Sequence, residues 1–287
     1  MRRPVLVGVA AVMVLAIVVG AGLVAYSLAA VVQRHQAAMA VLESAREHNN
    51  AVHDSLHDPA LAAALDNAAT VRDAKAAMDD KRAKLGGGIR TVESQLVELR
   101  NERDKLRRAT GDPLLFTGHS QLNGDRSRVE ATTNAFESAD HFLVMVDGHL
   151  RVFSAMLQAL VEWDNINQFI SKQDFSGALA LMPQLKQQLQ ATATTAQGAQ
   201  VPPPVAALLS ALTHAADDLN RALAAKQAGD ATTLAQLVPA LQADAQTLSA
   251  SYDSQAVDDY EHKLLDPYVA RYESEMKRAG FVVVNKS

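Results

Sequence analysis

The hydrophobic pattern splits the chain into two kinds of sequence. From Val5 to Val32 no side chain is charged, while the remainder carries apolar residues mostly at helical spacing among polar ones. Arg2 and Arg3 precede the uncharged run, and Gln33-Arg34-His35 follow it. At ~1.5 Å per residue a helix of that length covers ~42 Å, more than the ~30 Å hydrocarbon core of a bilayer. Lipid offers no partner to exposed backbone N–H and C=O groups, so a run crossing it has to be helical. Tyr26 suits the far headgroup layer, where a ring with one polar end is comfortable. Ser27-Leu28-Ala29 would serve as a signal-peptide cleavage site, but a signal core is only ~7–15 apolar residues long. The pattern therefore predicts an uncleaved transmembrane anchor over residues 4–32.

Basic residues near the run are balanced, Arg2 and Arg3 against Arg34 and Arg46. Only the terminal amine tips the count toward a cytoplasmic N-terminus. The expectation is a single-pass cell-membrane protein with a cytoplasmic tail at 1–3 and the bulk of the chain extracytoplasmic.

Beyond the anchor, residues 33–57 read as a juxtamembrane helix with a thin stripe of Ala37, Val41, Ala45 and Val52. Asp58-Pro59 suits a helix start, and a helix is expected over Ala60–Leu85. Gly86-Gly87-Gly88 would cost about 3 kcal/mol inside a helix relative to alanines, which favours a turn there. Yet Val71, Met78, Leu85, Val92, Leu99 and Leu106 keep their spacing of seven across the glycines. We expect an antiparallel hairpin over 58–111, its second arm (Ile89–Ala109) coiled-coil-like, with Glu98, Arg100, Glu102, Arg103, Asp104 and Lys105 on a solvated face.

Residues 112–124 read as a loop in which Leu114, Leu115 and Phe116 stand out. They either tuck back onto the bundle or form an exposed partner-binding tip. From Asp125 the bundle proper is expected to run to residue 287. Val129, Phe136, Leu143, Leu150 and Leu157 recur every seven residues, with Thr132, Ala139, Val146, Phe153 and Leu160 three further on. A second stripe, Phe142, Met145, Val152, Met156 and Trp163, predicts a helix covered on two sides.

An internal similarity follows. Asp174, Leu181, Pro183 and Leu185 reappear 56 residues later as Asp230, Leu237, Pro239 and Leu241. Matching Lys172-Gln173 to Lys226-Gln227 then requires a two-residue insertion, and suggests a duplicated hairpin at about 172–196 and 226–252. The stretch AKQAGDATTLAQL resembles the helix–turn–helix chemistry of tetratricopeptide repeats, but the period differs and their Trp/Gly/Tyr consensus is missing. Further on, a break is expected near Ser251-Tyr252-Asp253, and Pro267 is expected to open a last helix ending at Gly280. Phe281-Val282-Val283-Val284 suits a hydrophobic latch.

Composition agrees with an all-α chain: 14 Gly, 9 Pro and 5% aromatic residues in 287 leave helix-forming material. The expected fold is thus an N-terminal transmembrane helix followed by an elongated extracytoplasmic helical bundle with coiled-coil-like hairpins. With no cysteine, disulfides, thiolate nucleophiles and Cys-held metals are excluded. A formal charge of −5 disfavours a nucleic-acid partner.

Candidate chemistry is sparse. His53-Asp54-Ser55-Leu56-His57 resembles the HExxH zinc-protease motif, but Asp54 stands where that motif needs Glu, and Pro59 ends the helix at once. Solvated residues near a helix end are the expected reading. Asp79-Asp80, Asp217-Asp218 and Asp258-Asp259 are adjacent pairs that diverge by about 100° on a helix, so each is read as a solvated face. Tyr252, Tyr260, Tyr268 and Tyr272 read as a packing stripe. No catalytic residue, metal ligand or cofactor is expected. The sequence reading is a non-enzymatic envelope scaffold, adaptor or assembly protein, integral to the membrane through one span and bound to protein partners or to itself. The alternative is a tethered sensory or ligand-binding bundle, its small-molecule ligand unknown, that acts through a membrane partner.

Overall fold

The computed structural model describes residues 3–57, 68–115, 117–251 and 253–281, with the side chains of 3–22, 249 and 254 set aside. Among them are seven helices: α1 (Arg3–Leu56), α2 (Val71–Thr110), α3 (His119–Ser171), α4 (Phe175–Gly198), α5 (Pro203–Ala228), α6 (Ala231–Ser251) and α7 (Ser254–Arg278). No strand occurs among the described residues. The chain divides into two units, one from residues 1–53, 90–140 and 270–287, the other from 54–89 and 141–269. Helices α1, α2, α3 and α7 contribute to both.

In the first unit each helix offers one apolar stripe at three- and four-residue spacing. Ala38, Leu42 and Ala45 of α1 are buried with Val92, Leu96, Leu99 and Leu106 of α2, Leu122, Val129 and Phe136 of α3, and Met276 of α7. Several polar groups drawn into this interior find partners, as burial demands. The Tyr272 hydroxyl donates to Asn49 Oδ1 at 2.7 Å, and Ser44 Oγ donates to Gln95 Oε1 at 3.2 Å. Burial holds the Tyr272 phenol well above its ordinary pKa, and the Glu273 carboxylate adds to the shift. Glu102 is buried rather than solvated, with Lys105 3.3 Å from its Oε2. Arg128 Nε donates to the Ala279 carbonyl at 3.1 Å, closing the C-terminal end of α7.

In the second unit the core joins Met78 of α2, Leu150, Phe153, Met156 and Ile166 of α3, Met182, Leu185 and Leu189 of α4, Val205, Leu209 and Leu223 of α5, and Val257 of α7. The second stripe of α3 is covered as its pattern required: Phe142, Val152 and Met156 are buried, and Met145 and Trp163 half-buried. Ion pairs and hydrogen bonds tie α2 to α3, among them Arg82 to Asp147 at 3.1 Å and Arg72 to Asn165 at 2.7 Å.

Four further expectations need correction. The glycines do not turn the chain: α2 runs unbroken from Val71 to Thr110. The glycine penalty is local, whereas Met78 (1% exposed) and Val92, Leu99 and Leu106 (0%) are buried on both sides of it. Burying each such side chain is worth about 1.5–3 kcal/mol, so the flanks outweigh the penalty. The loop after α2 is shorter than 112–124, because α3 already starts at His119. Pro267 lies inside α7 rather than opening a helix. Val257 is buried on one side of it and the Tyr268 ring lies 6.0 Å from the His141 ring on the other. Finally, the 56-residue correspondence needs no insertion. Gln173 (φ 60°) and Gly229 (φ 71°) take the same left-handed place at the end of a helix. Asp174 N–H bonds to the Phe169 carbonyl and Asp230 N–H to the Ala225 carbonyl, so the two turns match residue for residue.

The break near 251–253 is present, and Gly280 (φ 85°) ends α7 with Phe281 N–H bonded to the Met276 carbonyl. The latch over 282–284, Tyr252, Phe116 and the Asp58-Pro59 helix start lie outside the described residues.

Candidate functional site

The surface with the clearest chemical character lies in the first unit, where α1 meets the loop between α2 and α3. The inner face of α1 is set by positions four apart. Ser27 (0% exposed) and Val31 (3%) point inward. One turn on, His35 Nδ1 lies 2.9 Å from Asp125 Oδ2. The loop is built for this contact. Asp112 Oδ1 accepts from Leu114 N–H at 2.9 Å, a side-chain turn that follows the end of α2. Thr117 Oγ1 and Ser27 Oγ are 2.8 Å apart, and Thr117 N–H also reaches Ser27 Oγ at 3.4 Å. Gly118 sits at φ +74°, and a Cβ there would come within 2.6 Å of Val31 Cγ1. Only glycine allows both the backbone angle and the approach.

The outer face of the same stretch is the reverse. Leu23 (40%), Val24 (39%), Tyr26 (57%), Leu28 (51%) and Val32 (52%) are exposed. Single exposed apolar residues are ordinary, but five within ten positions form a patch. Of the loop residues singled out by sequence, Leu114 is exposed at 49% and Leu115 is buried at 4%, so the trio does not act as one tip. Arg107 and Arg108, in the last turn of α2, are exposed at the other end of the loop. The anchor expected over 4–32 lies, up to residue 22, outside the described side chains. Its backbone there continues α1 without a break. The last ten residues of that expected span carry this half-packed, half-exposed surface.

Among the described residues one helix, α3, is long and apolar enough to cross a membrane, with a mean hydropathy of 1.2 in one window and 44% of that window buried. Phe136, Leu143 and Leu150, the residues that make α3 apolar, are 0% exposed, which is how the core helix of a bundle looks.

The remaining candidates lie elsewhere. His53 is buried, not solvated, with Nε2 4.0 Å from Glu273 Oε1. His57 follows the end of α1. Asp79 accepts from Ser154, and Lys75 beside it, with that hydroxyl, holds its carboxyl below the usual carboxylate range. Asp258 and Asp259 are exposed, as expected. The pair at 217–218 is split by the helix: Asp217 is exposed and 2.6 Å from Lys186, while Asp218 is buried. Sequence reasoning missed this burial, and it missed the nearby His214. The available signal was a His and an Asp four apart on one helix. No family model matches the chain, and neither does any curated protein or solved structure.

Proposed function

We propose that this protein is a membrane-anchored helical-bundle scaffold or assembly protein, non-enzymatic, held by α1 and binding protein partners through its helix faces. The observation that carries the reading is the two-sidedness of α1 over residues 23–32. Its inner face is seated on the bundle through Ser27 and Val31, while its outer face is apolar and continuous with the uncharged run back to Val5. A helix with that outer face is at ease where lipid takes the place of water. Leu114 and Tyr26 suit the acyl–headgroup boundary, and Arg107 and Arg108 suit anionic headgroups. On this reading the folded units lie on the extracytoplasmic side, the anchor crosses once, and the loop rests at the membrane surface.

Crosslinking of the full chain in intact membranes, followed by identification of what is captured, tests the scaffold reading. A fixed set of envelope proteins supports it, and capture of the chain alone replaces it with a homo-oligomer. Vesicle flotation tests the anchor: the full chain should float, and a chain lacking residues 1–22 should not. In a Trp163→Phe chain, Leu114→Trp should show emission quenched by bromolipid if the loop touches the membrane; unquenched emission from a chain that still floats would remove the loop from the surface.

A further inference from the structure

Helices α5 and α6 pack against one another within the second unit. His214 and Asp218 are four residues apart on α5 and so share a face, and Asp244 meets them from α6. One ligand atom of each lies within 4.8 Å of the other two. We propose that His214, Asp218 and Asp244 form a binding site for one divalent first-row transition cation, ligated by a ring nitrogen and two carboxylate oxygens.

Three observations point past an ordinary ion pair. Asp244 is buried, at 9% exposed, and only its Oδ1 is used, 2.8 Å from His214 Nδ1. Its Oδ2 is buried with no hydrogen-bond partner among the described residues. An orphaned carboxylate oxygen in such a place is costly unless something fills it. Asp218 is buried at 7% and is already oriented by Arg221, whose Nη1 lies 3.0 Å from Oδ1. That is the role an outer partner plays for a ligating carboxylate. Third, a neutral imidazole and two carboxylates carry the two negative charges that balance a divalent ion. His214 is exposed, with 69% of its side chain open, so an ion can enter without rearrangement of the core.

The chemistry narrows the occupant. One nitrogen and two oxygens without sulfur suit Zn²⁺ or Mn²⁺, rather than the all-oxygen shells of Ca²⁺ and Mg²⁺ or the thiolates that Cu⁺ prefers. Three protein ligands leave at least one position for water. The equivalent places 56 residues earlier hold Gln158, Glu162 and Gln188, a set with one carboxylate and no imidazole. Of the two corresponding sets of positions, only the later one carries the donor set. A bound ion would clamp α5 to α6 along their exposed side.

The test is calorimetric titration of the full detergent-solubilised chain with ZnCl₂, and separately with MnCl₂, against His214→Ala, Asp244→Asn and His262→Ala. His262 is a useful control because it forms an exposed i,i+4 pair with Asp266, 3.2 Å away, with no buried carboxylate. One equivalent of ion should bind the parent and the His262→Ala chain. Affinity should fall about 10-fold or more in His214→Ala and Asp244→Asn, the scale on which even outer-shell losses weaken metal sites. His214 is exposed, so its variant should melt at the parent temperature in EDTA, and the Zn²⁺-induced rise in Tm should disappear in it. Neither ion binding the parent, or binding of equal affinity in His214→Ala, would overturn the site. An equal loss in His262→Ala would also overturn it, by showing that the ion sits on surface histidines.

Discussion

The two turns that introduce α4 and α6 reach the same backbone with different side chains. In the first, Phe169 lies at the carbonyl that receives the Asp174 N–H, and Gly177 donates its N–H to Asp174 Oδ1 at 2.8 Å. In the second the corresponding residues are Ala225 and Thr233, and Thr233 gives Asp230 both its N–H, at 3.0 Å, and its hydroxyl, at 2.6 Å. A Cβ on Gly177 would come 2.5 Å from the Phe169 ring, so the large ring and the absent side chain belong together. Ala225 leaves room for Thr233, which uses it to add a hydrogen bond. The lesson is that the turn is conserved as a hydrogen-bond pattern within one molecule, while the space around it is filled in two complementary ways.

The largest difference between the hairpins should lie in burial. Met182 in α4 is 0% exposed, and its counterpart Val238 in α6 is 45% exposed. Met182→Ala should destabilise the chain by about 2–5 kcal/mol in urea titration, and Val238→Ala by less than about 0.5 kcal/mol. Equal losses would mean that α6 is packed as deeply as α4. Next comes the ring and its glycine. Gly177→Ala should cost about 1–3 kcal/mol by overpacking, and Phe169→Ala combined with Gly177→Thr should lose less than the two single changes together. Additive losses would show that the two fillings are independent.

The cap itself is smaller. Asp174→Ala removes an acceptor from the first turn of α4 and should cost about 1 kcal/mol, read as a lower Tm. At the left-handed position, Gln173→Gly should raise stability by up to about 1 kcal/mol, and Gly229→Ala should lower it by a similar amount. A loss on Gln173→Gly would indicate that the glutamine side chain contributes more than its backbone strain costs. The smallest effect is acid dependence. The Thr233 hydroxyl, and then its N–H, hold the Asp230 carboxyl below the usual carboxylate range. A depressed folded-state pKa gives stability that is present above the unfolded value of about 3.9 and is lost as pH falls through the folded one. Asp230→Asn still caps but does not titrate, so its Tm should fall less steeply than the parent's below about pH 4. Parallel acid limbs would assign that slope to other carboxylates.

These details also show what the sequence made legible. The stripes of α3 could be read because burial of Val129, Phe136, Leu143 and Leu150 follows directly from a period of seven. Gly86–Gly88 misled because the penalty is visible in three adjacent letters, whereas the packing that outweighs it is spread over Met78 to Leu106. Lys172-Gln173 and Lys226-Gln227 misled for a related reason. Identity of side chains suggested one alignment, but the left-handed backbone at Gln173 and Gly229 imposes another, and glutamine carries no mark of positive φ. In the loop, hydrophobicity drew attention to Leu114 and Leu115 alike. Only the turn made by Asp112 sends one out and the other in. The His214 group was hidden because its third member lies on another helix, 26 residues beyond Asp218.

The contact between Ser27 and Thr117 bears on whether a peptidase could reach the Ser27-Leu28-Ala29 segment. A protease that cut after Ala29 would need that segment extended in its active site, but in the folded chain the segment is helical and pinned on one side by the loop. Folding and any such cleavage would therefore compete for the same few residues. Once α2 and α3 have been made and the loop has settled over Ser27, the N-terminal segment is locked in. That contact can form only after residue 117 has been synthesised, so a peptidase acting on this segment would have to act before the loop settles.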